Sequence, residues 1–221
     1  DLPPQPPDWE ILSEEEARRA RRFVFPRDRD RFVKAHSTMR SVLGSYSGIP
    51  AARISFSNNL YGKPQIQNEL MTEPLQFNLT HSGGIAVLAV ARRYELGVDI
   101  EVLRPIDKDV AEHHFSPDEL CTLQSLPKEE WFAGFFRCWT SKEALLKGEG
   151  LGLNLPLNAF DVEAHPQRAP ALLACRPPAN IAADWKMIEL KPSQQTTGTL
   201  AIRDEMGKFS AKAVRYFSLS G

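Results

Sequence analysis

Residues 77–103 read FNLTHSGGIAVLAVARRYELGVDIEVL, and this stretch decides the fold class. Its three apolar runs are separated by HSGG and by RRYELG, and both separators contain glycine. Short apolar runs divided by glycine-bearing turns are typical of neighbouring antiparallel strands. The sequence therefore predicts an antiparallel sheet in the middle of the chain.

Helical patterns lie on both sides of this sheet. Ser13 followed by Glu16 fits a capping box, which predicts a helix that begins near residue 13. Pro26 interrupts the pattern, which resumes and stops at residues 44–48, where the chain carries glycines. After the sheet, SPDELCTLQSL begins with a second capping signature, and a long helix is expected from about Lys128 to Lys147.

Weaker strand patterns complete the chain. ARISFSNN and LQFNL predict strands on either side of a YGKP turn, while FDVEA, DWKMIEL and GTLAIRD alternate weakly and predict edge strands. Helices mixed with mostly antiparallel strands predict the α+β class.

Composition excludes several classes of protein. The 221 residues are 42% hydrophobic, which is enough for a core in one domain or in two small halves. Because 27 Lys and Arg nearly balance 28 Asp and Glu, no nucleic-acid or membrane partner is expected. No apolar run approaches the roughly 20 residues of a membrane span, and no signal-peptide pattern opens the sequence. P-loop and dinucleotide fingerprints do not occur either.

The cysteines indicate a reducing compartment. Cys121, Cys138 and Cys175 are odd in number and lack C-x-x-C spacing, so neither a disulfide framework nor a zinc site is expected. We expect a cytoplasmic protein.

One acidic residue interrupts the apolar face of the long helix. In FFRCWTSKEALLKGEG, residues 135–150, Glu143 falls near the middle of a stripe that holds Phe135, Trp139 and Leu146. A carboxylate there must be paired, bind a metal or line a cleft, because burial of an isolated charge costs several kcal/mol. A salt bridge to Lys147 and a functional role are both open from the helical pattern alone.

A second acidic pair lies in GVDIEV. Asp99 and Glu101 are two residues apart on a predicted strand, so their side chains leave the same face. The two like charges repel unless a cation shares the site, and hard oxygen ligands suit Mg²⁺ completed by phosphates. A solvated outer face of the sheet is the alternative.

Phosphate groups would need cations, which the chain offers in three sets. These are the arginines 27, 29 and 31, then Lys63 in YGKP, then Lys142 with Lys147. Each set alone is compatible with ordinary surface charge. His81 lies at a strand end, where a polar turn can hold an anion, although a turn histidine without function fits as well.

The motifs FVFPRD, YGKP, FNLTHSGG, GVDIE and WTSKEALLKGEGLGL, in this order, resemble the 4′-phosphopantetheinyl transferases of the large, Sfp type. The resemblance covers about residues 13–165. It implies two similar α/β halves that form a pseudo-dimer within one chain, and hence a monomer. The expected halves are residues 1–95, with the contacts to the 3′-phosphate and adenine of coenzyme A, and residues 96–221, with the acidic residues and the carrier-protein contacts.

The resemblance also implies a reaction. The family transfers 4′-phosphopantetheine from coenzyme A to a serine of an apo acyl, peptidyl or aryl carrier protein and releases adenosine 3′,5′-bisphosphate, which is holo-[acyl-carrier-protein] synthase activity. Carriers of fatty acid, polyketide, nonribosomal peptide and lysine pathways all stay open. Two alternatives are a noncatalytic coenzyme A-binding module and a Mg²⁺-dependent phosphohydrolase.

Residue by residue, the family pattern assigns roles. Asp99, Glu101 and Glu143 match the ligands of Mg²⁺, for which Mn²⁺ could substitute, and Glu143 and Lys147 match catalytic positions. The implied coenzyme A contacts are Arg27, Arg31, Lys63, Pro64, Thr80, His81, Ser82, Asp99, Lys142 and Lys147. The base that deprotonates the carrier serine is either Glu143 or a bound water. Residues 103–125 are expected to contact the carrier protein through Lys108, His113, His114 and Phe115.

Overall fold

The computed structural model describes residues 8–67, 74–152 and 155–218. Contacts divide the chain into two compact units. The described part of the first unit is residues 8–57, 65–67, 74–75 and 210–218, and that of the second is residues 58–64, 76–152 and 155–209. The predicted division into residues 1–95 and 96–221 stays a prediction.

Two helices form the first unit. Helix α1 covers Glu14–Arg21, and the Ser13 hydroxyl accepts a hydrogen bond from the Glu16 amide while the Glu16 carboxylate accepts one from the Ser13 amide. This confirms the predicted capping box. Helix α2 covers Pro26–Ser47 and ends at Gly48, whose φ of 73° is a left-handed conformation that glycine adopts without strain.

A buried ionic network joins the two helices of the first unit. Glu16 accepts hydrogen bonds from Arg40 Nε at 2.6 Å and lies 3.0 Å from His36 Nδ1. The same guanidinium donates to the carbonyl oxygens of Ala51 and Ile54. Burial raises the pKa of Glu16, but hydrogen bonds from His36, from the Ser13 amide and from Arg40 outweigh it and lower that pKa to about 2.

The strands of the described residues lie in four small sheets. Their bounds are β1 Phe56–Asn58, β2 Pro64–Ile66, β3 Gln76–Ser82, β4 Ile85–Ala91, β5 Leu96–Val102, β6 Phe160–Val162, β7 Leu172–Cys175, β8 Trp185–Ser193 and β9 Thr196–Arg203. Strand β1 pairs with β2, β3 with β4, and β6 with β7, while the fourth sheet has the order β5-β9-β8. The α+β class predicted from the sequence is confirmed.

Two predictions about strand neighbours are wrong. Strands β3 and β4 form the expected antiparallel hairpin, but β5 pairs with β9, about one hundred residues further along the chain, instead of with β4. Strand β9, from the GTLAIRD segment, is the central strand of its sheet and is mostly buried, whereas an edge strand was expected. Strand β8 is an edge strand as predicted.

Three helices complete the second unit, namely α3 Lys108–His114, α4 Pro117–Ser125 and α5 Trp131–Glu149. The second capping box is confirmed, because Ser116 and Glu119 exchange the two expected hydrogen bonds. Helix α5 carries the largest group of buried apolar side chains, among them Phe135, Phe136 and Leu145. Among the described residues, no helix is both long and apolar enough to cross a membrane.

Helix α5 lies directly against the backbone of β5. A Cβ atom on Gly97 would be 2.1 Å from the Ala144 carbonyl oxygen and 2.2 Å from the Gly148 amide nitrogen, which no real side chain tolerates. This backbone contact fixes the distance between the strand that carries Asp99 and Glu101 and the helix that carries Glu143.

Candidate active site

A cavity of about 390 Å³ in the second unit gathers acidic and basic side chains from β3, β5 and α5. The side chains that line it come from Leu79, Thr80, His81, Asp99, Glu101, Trp139, Glu143 and Lys147. The three carboxylates that the sequence singled out therefore face one space. Two lie on one face of β5, as the strand period predicts, and the third comes from α5.

Asp99 is the most buried of the three acids. Its Oδ1 atom accepts hydrogen bonds from Lys147 Nζ at 2.5 Å and from the Thr80 hydroxyl at 3.2 Å. Its buried Oδ2 atom has no hydrogen-bond partner among the residues that the structure describes. Burial raises the pKa of Asp99 to about 6; Lys147 opposes this effect, and the charges of Glu143 and Glu101 add to it.

The other two acids have partly polar surroundings. Glu101 accepts a hydrogen bond from the Ser82 hydroxyl at 2.7 Å. Burial raises the pKa of Glu143, Lys147 opposes it, and Glu101 raises it further. The three carboxylates thus repel one another, and the single positive charge of Lys147 compensates them only in part.

The chemistry of this site fits a divalent cation. Three hard carboxylates face one cavity, and the buried Asp99 Oδ2 atom lacks a hydrogen-bond partner in residues 8–67, 74–152 and 155–218. A bound cation would relieve the mutual repulsion. Within the described part of the chain, however, no group of three or more His, Cys, Asp or Glu side chains is already drawn together tightly enough to hold a metal ion. The acids would therefore have to move closer together around the cation than they lie here.

The two lysines of the WTSKEALLK motif point to different places. Lys147 lines the cavity and pairs with Asp99, so the salt bridge to Glu143 considered from the sequence is replaced by one to Asp99. Lys142 was expected to contact a phosphate, and the structure corrects this expectation. Its side chain is fully buried, and its ammonium donates to the carbonyl oxygens of residues 157 and 160 and pairs with Glu119 at 2.8 Å.

Lys63 and Pro64 are not among the described residues that line the cavity, and their contact with coenzyme A stays a prediction. Pro64 begins β2, and Lys63 Nζ donates to the carbonyl oxygens of Gly148 at 2.5 Å and Leu96 at 3.2 Å. Burial lowers the pKa of Lys63, against the opposing charges of Glu95 and Glu149. In this structure the YGKP lysine therefore caps a carbonyl oxygen near the end of α5.

Other predicted contacts divide between the two units. Thr80 and His81 line the cavity, and Ser82 follows them at the end of β3. Arg27 and Arg31 belong to the first unit, where both are exposed and lie within 4.0 Å of the Asp28 carboxylate.

The segment predicted to meet the carrier protein contains α3 and α4. Lys108, His113 and His114 are exposed, and Lys108 lies over the Trp131 ring. Phe115 was expected on this surface, but it is buried and packs against Phe135, so this prediction is wrong. An apolar residue that ends one helix and precedes the cap of the next is a natural core position.

Sequence reasoning missed two kinds of residue at the site. Leu79 and Trp139 supply the apolar lining, and Trp139 was assigned only to the buried stripe. Asn78 was not singled out, although its carboxamide oxygen accepts the Val98 amide at 2.8 Å. The polar alternation of Asn78, Thr80 and Ser82 between apolar neighbours was a readable signal that these side chains share a face.

Comparison with known proteins agrees with this geometry. A model of the 4′-phosphopantetheinyl transferase superfamily matches residues 95–214, and a model of the N-terminal part of 4′-phosphopantetheinyl transferases matches residues 4–93. The 4′-phosphopantetheinyl transferase HetI of a Nostoc species is 36% identical over 193 residues, which cover 86% of this chain and 78% of HetI. The 4′-phosphopantetheinyl transferase Sfp of Bacillus subtilis is 34% identical over 155 residues, which cover 70% of this chain and 67% of Sfp.

The superfamily model alone covers more than half of the chain, and its range includes Asp99, Glu101, Glu143 and Lys147. The chain belongs to the 4′-phosphopantetheinyl transferase superfamily.

Proposed function

We propose that this enzyme transfers the 4′-phosphopantetheine group of coenzyme A to a serine hydroxyl of an apo carrier protein and releases adenosine 3′,5′-bisphosphate. The observation that supports it best is the cavity in which three carboxylates and the Lys147 ammonium meet. A site that breaks a pyrophosphate bond needs both a place for a cation and a fixed positive charge, because negative charge collects on the leaving phosphate.

Asp99, Glu101 and Glu143 would hold Mg²⁺ or Mn²⁺. When bound, the cation neutralises charge on the pyrophosphate of coenzyme A. The buried Oδ2 atom of Asp99 is free to serve as one ligand atom, since its Oδ1 atom is already shared by Lys147 and Thr80.

Lys147 would bind the pyrophosphate and stabilise the leaving bisphosphate. Its ammonium is held by Asp99 and by the Thr80 hydroxyl at 3.3 Å, so it enters the cavity in a fixed position. A positive charge placed before the reaction needs no rearrangement when charge develops on the leaving group.

The carrier serine must lose its proton as it attacks phosphorus. The proton passes to the Glu143 carboxylate, which lines the cavity, or to a water that this carboxylate holds. Leu79 and Trp139 supply the apolar part of the lining beside these charged groups.

The remaining contacts complete the proposal. His81 lines the cavity and would bind a phosphate of coenzyme A, with Arg27 and Arg31 assigned to the 3′-phosphate. The exposed Lys108, His113 and His114 would meet an acidic carrier protein. The division of labour between residues 1–95 for coenzyme A and residues 96–221 for the cation and the carrier is part of the same proposal.

One incubation tests this function. The protein is mixed with coenzyme A, MgCl₂ and an apo carrier protein, and the carrier is weighed by mass spectrometry. A gain of one phosphopantetheine group is expected. Bisphosphate release from coenzyme A with an unchanged carrier would instead identify a phosphohydrolase, and coenzyme A binding without either product would identify a noncatalytic module.

Glu143→Gln should lower the rate of carrier modification by about 100-fold or more, because it removes both a cation ligand and the proposed base. The control is Glu129→Gln, which changes an exposed glutamate before α5 and should leave the rate within about twofold. Near-normal turnover of Glu143→Gln would contradict both roles assigned to this carboxylate.

A further inference from the structure

Three polar side chains on one face of β3 hydrogen bond to β5, although the two strands belong to different sheets. Asn78, Thr80 and Ser82 alternate along β3, so their side chains leave the same face. Their partners on β5 follow in the same order, from Val98 through Asp99 to residues 101–102. The strands therefore run side by side in the same direction and are joined by side chains.

Two of these bonds reach backbone amides of β5. The Val98 amide donates to Asn78 Oδ1 at 2.8 Å, and the Val102 amide donates to the Ser82 hydroxyl at 3.1 Å. The opposite edge of β5 pairs with β9, so β5 is held from both sides. The two side-chain bonds bracket the segment that carries Asp99 and Glu101.

Asn78 is well placed for this function because it is 7% exposed. A buried amide that loses its acceptor costs about 1–3 kcal/mol, so the Val98 amide holds Asn78 and β5 in one register. The hydrogen bond also determines how far β5 approaches the β3 strand that carries Thr80 and His81.

Ser82 has a second partner in addition to the backbone. Its hydroxyl donates to Glu101 Oε2 at 2.7 Å while it accepts from the Val102 amide. Both the donor and an acceptor site of this hydroxyl are thus engaged within the chain. This use differs from the coenzyme A contact that the sequence predicted for Ser82.

We propose that Asn78 and Ser82 are positioning residues for the acidic cluster. They hold β5 and the Glu101 carboxylate so that Asp99 and Glu101 face the same space as Glu143 despite their mutual repulsion. The inference rests on the proposed function, because it concerns how the acids are kept ready for a divalent cation. Groups that orient metal-binding carboxylates typically change metal affinity by 10–100-fold when they are removed.

The test measures cation binding without the transfer reaction. The unaltered chain and its variants are titrated with MnCl₂, and free Mn²⁺ is followed by electron paramagnetic resonance. Ser82→Ala and Asn78→Leu should each weaken Mn²⁺ binding by about tenfold or more, whereas Ser82→Thr keeps the hydroxyl and should stay within about twofold.

A matched control separates positioning from loss of stability. Thr196 lies opposite Val102 on β9, is buried, and accepts a hydrogen bond from the Ser193 hydroxyl, but it does not line the cavity. Thr196→Val should lower the melting temperature and leave Mn²⁺ affinity unchanged. Asn78→Leu alters a buried site. If that variant does not fold, the Mn²⁺ affinities of Ser82→Ala and Ser82→Thr decide the proposal.

Several results would overturn the inference. One is a Ser82→Ala variant that binds Mn²⁺ as tightly as the unaltered chain. If this variant also binds coenzyme A tenfold more weakly, Ser82 is a substrate contact instead of a positioning residue. Another is an unaltered chain that binds no Mn²⁺. If the unaltered chain modifies no carrier protein while Mn²⁺ affinity responds as expected, the proposed function fails and the positioning role stands.

Discussion

Helix α5 carries two lysines five residues apart, and their surroundings differ completely. The Lys142 side chain is 0% exposed, and its ammonium contacts Glu119 and two carbonyl oxygens. The Lys147 side chain is 32% exposed, and its ammonium contacts Asp99 and Thr80 at the edge of the cavity. One helix thus holds a closed ion pair in the core and an accessible one at the site.

This difference in burial between Lys142 and Lys147 decides which of the two positive charges a ligand can reach. The Lys142 ammonium donates two hydrogen bonds and forms an ion pair with Glu119, and its side chain is fully buried, so no ligand can reach it. Residue type and membership of a motif therefore do not decide function. The Lys142 pair is enclosed in the core, whereas the Lys147 side chain is partly exposed at the cavity. The five residues turn the helix by about 140°, which is enough to separate the two roles.

The largest expected effect comes from breaking the core pair. Lys142→Met leaves Glu119 buried without its cation. We expect the free energy of unfolding to fall by about 3–5 kcal/mol. Urea unfolding at pH 7 measures this change. The double variant with Glu119→Gln keeps an acceptor for the Val162 amide and should recover part of the loss. If Lys142→Met alone were as stable as the unaltered chain, the Lys142–Glu119 pair would contribute little to stability.

Lys147→Met should have the opposite profile. We expect the rate of carrier modification to fall by about 100-fold, equivalent to about 2.7 kcal/mol, because the charge at the leaving phosphate is lost. The free energy of unfolding should change by less than about 1 kcal/mol, since Asp99 can take up a proton when Lys147 is removed. Carrier mass spectrometry and urea unfolding measure the two quantities on the same preparations. A stability loss as large as that of Lys142→Met would end the contrast between the two lysines.

A third ion pair, in the first unit, tests what decides the pKa of a paired carboxylate. At Asp99 burial prevails and the pKa rises to about 6, whereas at Glu16 the hydrogen bonds prevail and the pKa falls to about 2. A carboxylate with a lowered pKa in the folded state stabilises that state above its ordinary pKa of 4.5, and the contribution disappears as the pH falls towards 2.

We therefore expect Glu16→Gln to destabilise α2 by about 2 kcal/mol at pH 7, after allowance for solvent screening, and to have much less effect near pH 2. Hydrogen exchange of the α2 amides, read by mass spectrometry at several pH values, measures this local stability. An effect of Glu16→Gln that did not depend on pH would show that the charge of Glu16 is not the cause.

Local signals in the sequence predicted the helices well. Both capping boxes and the glycine that ends α2 are patterns within a few residues, and their chemistry does not depend on the rest of the fold. The partner of β5 could not be found this way, because Val98 lies opposite Leu200 and a distant strand competes with the nearer β4. Whether a strand is central or at an edge depends on the same long-range choice.

The direction of each side chain at the site could be predicted from the periodicity of its own strand or helix. Strand period placed Asp99 and Glu101 on one face, and the motif indicated that Glu143 would meet them, as it does in one cavity. Their role as cation ligands stays a prediction. Helix phase gave the direction of Lys142 but not its surroundings, since the residues that surround it come from α4 and from the chain that follows α5.

The contact of Gly97 with the backbone of α5 has a practical consequence for redesign. Because the spacing of strand and helix is set by main-chain atoms, it does not depend on which side chains line the cavity. The walls formed by Leu79 and Trp139 can therefore be varied in libraries without changing the distance between β5 and α5. Position 97 itself is the one to leave out of such libraries, since any side chain there would push the helix away and carry Glu143 with it.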